Sequence, residues 1–479
     1  MNIKYNWIKI TLPISIIFSF RMLGLFMLIP IFTILSSKLR YATHTLIGIA
    51  FGVYGLTQGV MQIPMGILSD YYNRKTILTI NLFCFSIGSL IASFSNSIYT
   101  MIFARSLQGF GAIGSVLIAL LSDLISEKEI TKSMLIIGIS IGITFNIAII
   151  TSPIITYYFQ LKSIFYISTV LPIIGIILLY ISIPNPQKKI FYLTKNQTFL
   201  HILNTVIKNK NLQKLNLSIF IHHFILITTF YALPIILKNL YLFKAKQNEQ
   251  WIFYFKLIIL ASIITIPIIF FTEKRKLIKK TILYSVITIG TSQILIAFLY
   301  RYSYSLLFLL ILIYFISFNI LEANLPSLIS KQAYHSTKGT AIGIYSSSQF
   351  LGIFTGGLFS GILDSNVGII GIFIMNASIS LIWVIICFYI EPNIRLLTLP
   401  IKILNFYKKN SEYINNNYII INNKNKINFL KKINKIPGIK KIFLSKKEKK
   451  LYIYIDNNQI KKNILHKLTI CNLLIIKKN

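Results

Sequence analysis

Apolar runs of about twenty residues recur along most of this chain, and each is long enough to cross a bilayer as a helix. Inside hydrocarbon, backbone N–H and C=O groups must pair within the protein, which leaves only helices or a closed barrel. Barrel strands alternate apolar and polar residues with period two; these runs do not. Charged residues make up 13% of the 479 and hydrophobic ones 55%, against about 25% charged in soluble domains. The chain therefore reads as an all-α polytopic membrane protein.

In chain order the runs predict helices at 7–35, 44–65, 76–94, 99–121, 132–157, 163–183, 217–237, 251–271, 281–300, 305–324, 340–363 and 368–390. A polar connection rich in Lys and Asn, 184–214, splits these twelve into six and six. The expected domains are a six-helix bundle over 1–183, the central loop, and a second bundle over 215–390. Lys and Arg collect in cytoplasmic loops. The loops after helices 2, 4, 6, 8 and 10 are basic, carrying for example Arg74 and Lys75, Lys128 and Lys132, Lys274 to Lys280, and Lys331 and Lys338. Ser95-Asn96-Ser97, after helix 3, has no charge; the loop after helix 7, with Lys238, Lys244 and Lys246, is an exception. Both termini are expected in the cytoplasm. The first run holds Arg21 and no small-residue cleavage site, so it is expected to remain as a helix.

After residue 390 the composition changes. Residues 391–410 read as a linker and 411–479 as a small basic domain. Short alternating segments predict strands at 418–421, 439–444, 451–455 and 472–476, with helices at 427–433 and 459–468. That β-α-β-β-α-β order is the order of a ferredoxin-like α+β domain.

The formal net charge is +37. It is spread over many loops, with no platform of interleaved bases and aromatics of the kind single-strand binders use. Abundant Lys, Asn and Ile throughout point to codon bias plus topology, so no nucleic-acid partner is expected, and membrane lipids are. Cys84, Cys387 and Cys471 lie far apart and form no metal or disulfide spacing. No cofactor, no metal and no enzymatic activity are expected: there is no Gly-x-x-x-x-Gly-Lys phosphate loop and no nucleophile–base pair.

Between helices 2 and 3 the chain reads Gly66-Ile-Leu-Ser-Asp70-Tyr-Tyr-Asn-Arg74-Lys75. So short a turn makes the two helices antiparallel neighbours. Gly66 permits close approach, Asp70 either caps a helix or pairs with Arg74, and the bases hold the turn at the cytoplasmic face. An ionisable group inside the bilayer costs roughly 2.5–3.5 kcal/mol on insertion scales, so each needs a reason. Arg21, midway along helix 1, either binds an anionic part of a substrate, tunes a proton site, or pairs with a fixed partner. Arg105 and Gln108 share a face of helix 4, although Arg105 is placed to snorkel to the outer surface. Glu322, near the end of helix 10, is either a proton acceptor or a partner for loop bases such as Lys274 or Arg275. His222 and His223 begin helix 7; being adjacent, at most one is expected to face a cavity. Asn319, Gln349 and Tyr345 are candidate polar cavity lining. Gly138 and Gly142 on helix 5 have the spacing of tight helix packing.

The turn resembles the loop between helices 2 and 3 of major facilitator superfamily transporters, Gly-x-Leu-x-Asp-Arg-x-Gly-Arg-Lys. Gly66, Leu68, Asp70, Arg74 and Lys75 match; Tyr71 and Asn73 depart from it. Arg105, Gln108 and Gly109 match that family's Arg-x-x-Gln-Gly pattern in helix 4, linked there to proton coupling. Helix 5 has Ser152-Pro153 where antiporters of the family carry Gly-Pro. Phe20 to Met27, helices 10 and 11, and the added C-terminal domain are similar to the YajR-type branch. The resemblance implies two six-helix bundles of twelve transmembrane helices, working by alternating access. It also implies a charge cluster of Asp70, Arg74 and Asp123. In it, Asp70 faces the N-terminus of helix 11 near Gly339 and Thr340, whose dipole end attracts an acid. The function it implies is proton-coupled export of a small molecule across a bacterial inner membrane, by a protein expected to act as a monomer. The alternative is a sensor that binds a ligand without moving it and reports through its cytoplasmic domain.

Overall fold

The computed structural model describes residues 7–125, 127–185, 203–204, 206–239, 250–275, 277–333 and 338–390, and beyond them four strands. Twelve long helices fill the first part. They are α1 (Trp7–Phe26), α2 (His44–Tyr71), α3 (Arg74–Phe94), α4 (Ile98–Leu124), α5 (Lys132–Gln160) and α6 (Lys162–Ser182). The second half has α7 (Lys210–Asn239), α8 (Gln250–Lys274), α9 (Ile278–Leu299), α10 (Tyr304–Gln332), α11 (Lys338–Asn366) and α12 (Ile369–Phe388). Eleven of them are long and apolar enough to span a bilayer; α11, rich in Ser and Gly, is the less apolar twelfth. The helices carry internal prolines, among them Pro64, Pro153, Pro234 and Pro326, which neighbouring helices can tolerate in a membrane. Large apolar side chains such as Phe103, Ile181, Phe270 and Leu381 stay exposed, as a surface wetted by lipid requires.

Polar caps fix several starts. The Thr43 hydroxyl accepts from the Leu46 N–H at 3.2 Å, and the Asn73 side chain from the Lys75 N–H at 3.0 Å, each satisfying a donor that the first turn leaves free. Between α5 and α6 the chain turns at Gln160, which has φ 66.

Several boundaries differ from expectation, each for a physical reason. Helix 1 ends at Phe26, and after a turn through Pro30 a short helix follows at Phe32–Ser36. Helix 4 is broken: Ile98–Phe110 and Gly114–Leu124 are separate helices, and the Gly111 and Ala112 carbonyls between them are left to side chains. Helix 7 starts at Lys210 rather than 217, because Leu212 and Leu215 are buried and draw the polar stretch into the helix. Helix 10 continues past Asn324 and Pro326 to Gln332. Gly138 and Gly142 do not pack: a Cβ added at either meets nothing within 4 Å.

Tight packing lies instead between α2 and α11. A Cβ on Gly52 would meet the Phe354 carbonyl at 2.6 Å, and one on Gly361 the Thr45 Cα at 2.9 Å. The close approach runs as far as Gly59, where a Cβ still meets the Ser347 carbonyl at 3.1 Å; beyond it, Cβ atoms on Gly343 and Gly339 meet nothing within 4 Å. Elsewhere α1 and α3 pack on the α5–α6 stretch, α7 packs on α11 and α12, and α9 on α10 and α12.

Residues 391–479 form a separate compact unit. Its described part is a four-stranded sheet, β1 (Arg395–Lys402), β2 (Ile419–Ile420), β3 (Ile439–Ser445) and β4 (Lys450–Ile455), in the order β2-β1-β4-β3. The β3–β4 and β1–β4 pairs are antiparallel and β1–β2 is parallel. The stretch expected as linker thus supplies β1. In a ferredoxin-like unit the first expected strand would lie beside 451–455; here β1 lies between them. The expected helices and the last strand fall outside the described residues, as does most of the central loop.

Candidate functional site

In the first half, two arginines are buried around one tyrosine. Arg21 is 0% exposed and Arg105 2%. Their guanidinium carbons lie 5.4 and 4.9 Å from the centroid of the Tyr54 ring, within cation–π range. Arg21 donates to Gln58 Oε1 and, at 3.2 Å, to the Gly111 carbonyl that the break in α4 frees. Asn81 donates to the Ala112 carbonyl of the same break at 2.7 Å. Arg105 donates to Gln108 Oε1 at 2.7 Å, and Gln108 Nε2 donates to the Ser89 hydroxyl at 2.7 Å. No salt bridge from either arginine to a carboxylate occurs among the described residues. Neutral dipoles and ring faces hold both cations. Arg105 does not snorkel; it points into the bundle.

The charged turn after α2 is built as follows. Arg74 Nε donates to Asp123 Oδ2 at 2.5 Å and its Nη1 to the Ser69 hydroxyl at 3.0 Å. Lys75 is buried, gives its ammonium to the Ile183 carbonyl at the end of α6, and lies 5.4 Å from the Tyr180 ring. It thus ties α3 to α6 rather than standing at the surface. A Cβ on Gly66 would press on Ser115 of α4 at 3.3 Å. The side chain of Asp70 is outside the described residues, and Gly339 and Thr340 open α11 with no neighbour near Gly339.

In the second half, α7 is buried along nearly its whole length. Because that helix begins at Lys210, His222 and His223 sit well inside it, roughly 18 Å from its start at 1.5 Å per residue. Glu322 is likewise ten residues from the end of α10 at Gln332, about 15 Å in. The three side chains meet. His222 Nε2 is 3.2 Å and His223 Nε2 3.9 Å from Glu322 Oε2. Both histidines therefore face one carboxylate, against the expectation that only one would, and that carboxylate serves them rather than Lys274 or Arg275. His222 stacks on Phe318 with ring centroids 4.3 Å apart and planes at 11°. Gln349 Nε2 lies 2.7 Å from His223 Nε2. Tyr345 is buried with its hydroxyl unpartnered, and Asn319 is half-buried on α10. Phe318 also stacks on Phe145 of α5 at 6.4 Å, bridging the halves.

At the packed end of the α2–α11 seam, His44 Nδ1 lies 2.6 Å from Asp364 Oδ2, and the Tyr231 hydroxyl donates to the same oxygen at 3.1 Å. Three helices, α2, α7 and α11, are joined there.

The sequence profile described as Major Facilitator Superfamily matches residues 14–357. The chain belongs to the major facilitator superfamily. It is 37% identical over 78% of its length to the inner membrane transport protein YajR of Escherichia coli, covering 82% of that protein. A bicyclomycin resistance protein homolog of Haemophilus influenzae is 27% identical over 40% of this chain and 48% of its own. The crystal structure of the nucleoside transporter NupG superposes with a TM-score of 0.62 over 79% of this chain and 98% of that one, at 17% identity. The superfamily is one of transporters, so the chain is a multi-pass inner membrane transport protein with a small-molecule substrate.

Against this superfamily fold, sequence reasoning found both arginines and missed what holds them. Tyr54, Gln58 and Gln62 recur every four residues on α2, a polar stripe in an apolar run that marks an inward face. It also missed the pair His44–Asp364, whose members are 320 residues apart; nothing local joins them.

Proposed function

We propose that the chain is a proton-driven secondary transporter that exports a small molecule by alternating access. The observation that carries this reading is the unequal seam between the halves, tight from His44 to Gly52 against Gly357 to Asp364 and parted near Gly339 and Gly343. Two rigid bundles that meet at one end are one of the two states alternating access needs. With the basic turns on the cytoplasmic face, the closed end faces outward and this is the inward-open state. In the other state Asp70 would meet the start of α11 at Gly339 and Thr340, and protonating it would loosen that contact. The likeness to a resistance protein favours export, and the Arg105-x-x-Gln108-Gly109 pattern, linked in the family to proton coupling, favours a proton gradient as the energy source. The sensor alternative gains no support. Residues 391–479 are proposed as a small cytoplasmic domain whose described sheet, with β1 between β2 and β4, departs from the ferredoxin-like order.

The test is proton movement in vesicles carrying the purified full chain, with amphipathic cations and small metabolites as candidate cargo. Cargo-dependent proton movement that Asp70→Asn abolishes is expected. Cargo that shifts thermal stability without any proton movement would overturn the coupling and return the sensor.

A further inference from the structure

We propose that His222, His223 and Glu322 form a binding site for a first-row divalent transition-metal cation such as zinc or cobalt. One ligand atom from each residue lies within 4.8 Å of the other two. In a tetrahedral site with bonds of 2.0–2.1 Å, ligand atoms sit about 3.3 Å apart; the two imidazole–carboxylate distances are 3.2 and 3.9 Å. Ligation requires Glu322 and the His223 ring to adjust around His222, whose side chain is 0% exposed and stacks on Phe318, while that of Glu322 is 42% exposed.

The cluster is poorly explained as a self-contained hydrogen-bond network. His222 Nε2 lies 3.2 Å from Glu322 Oε2 without a well-aligned hydrogen bond, and Nδ1 of His222 is unpartnered. Each buried polar group left so costs about 1–3 kcal/mol. A cation gives two of these atoms, His222 Nε2 and Glu322 Oε2, a common partner beside His223 Nε2. Two neutral imidazoles and one carboxylate supply a single negative charge and a nitrogen-rich donor set. That set suits zinc, copper, nickel or cobalt and disfavours magnesium and calcium, which take oxygen ligands. Three protein ligands leave a fourth position open, and the exposed side of Glu322 is the way in. Gln349, in contact with His223 Nε2, must yield that nitrogen when the ion enters.

The proposal stands apart from the transport reading, because binding is measured at equilibrium without flux. The purified full chain in detergent is titrated with cobalt(II) and followed by visible absorption. The wild type is expected to bind an equivalent with the strong bands of tetrahedral cobalt, displaced by zinc and not by excess magnesium. Glu322→Gln, shown to be folded by an unchanged unfolding midpoint in chelator, is expected to bind it at least about tenfold more weakly, the scale of losing even an outer-shell partner. No such equivalent in the wild type, or equal affinity in Glu322→Gln, overturns the site. A readout that needs no variant is zinc-edge X-ray absorption of the loaded wild type. Imidazole scattering supports the assignment, and a shell of oxygens alone overturns it.

Discussion

The two halves bury polar groups in opposite ways. In the first, Arg21 and Arg105 are cations sealed among Tyr54, Gln58, Gln108 and backbone carbonyls, each donating from two of its nitrogens and with Arg21 Nε left over. In the second, His222, His223 and Glu322 converge on a common point with several atoms unspent. A buried group that is fully bonded stabilises one arrangement and resists change. One that is half-bonded awaits a ligand or a second conformation. The first half reads as the fixed member of the pair and the second as the responsive one.

The largest expected effect comes from glycines placed differently in the two halves. A Cβ on Gly109 of α4 would overlap Thr57 Oγ1 and stand 2.5 Å from the Tyr54 carbonyl, whereas one on Gly343 of α11 meets nothing. Gly109→Ala should lose about 3 kcal/mol or more, read as a large drop in the unfolding midpoint in detergent. Gly343→Ala should hold or raise that midpoint, since alanine is the better helix former by about 1 kcal/mol. If α2 and α11 close at that end during transport, Gly343→Ala slows flux while stabilising the protein. Equal midpoints for the two variants would remove the contrast.

Next in size is the loss of a polar partner. Gln58→Leu takes away an acceptor of Arg21 and leaves a buried cation short of bonds, at a cost of about 2 kcal/mol. Glu322→Gln, nearly isosteric and at a site where the carboxylate completes few bonds, should cost less than about 1 kcal/mol. Chemical unfolding of both variants side by side measures the difference. A Glu322→Gln cost as large as that of Gln58→Leu would make the two cores alike.

How much of this was legible depends on range. The helices were, because a twenty-residue apolar run has few other fates. Their ends were not: Lys210 to Asn216 looks like loop and is helix only because Leu212 and Leu215 find a core to enter. The break at Gly111 to Ile113 lies among Gly109, Gly111 and Gly114, a local signal of a weak helix, but what fixes it is Arg21 and Asn81 arriving from other helices. Arg21, Arg105 and Glu322 stood out as charges in apolar surroundings. The convergence of both histidines did not. Successive helix residues diverge by about 100°, but two long rings on either side of one carboxylate can still both reach it, and only the packing of α7 on α10 reveals that. The strand at 395–402 was hidden by a stretch that reads as linker until β4 is placed beside it.

The smallest effect, and the finest test of the comparison, is at the closed end of the seam. His44 is 62% exposed and Asp364 8%, so their contact is worth about 0.2–1 kcal/mol, as for other solvent-facing pairs. Asp364 is held within its own half by Tyr231 of α7, and through His44 of α2 it fastens the responsive half to the fixed one. Asp364→Asn removes the charge and keeps the shape. It should leave the unfolding midpoint within error, yet move the balance between closed and open outer ends by up to about fivefold, the factor that 1 kcal/mol represents. Labelling of a cysteine placed at Ile353, which packs beside Gly55 in the seam, would report the change as faster modification from outside the vesicle. Faster labelling without lost stability would mean that this contact biases conformation rather than holding the fold. A fallen midpoint would instead place Asp364 in the fixed core, and the division between a rigid half and a responsive one would have to be redrawn along α11.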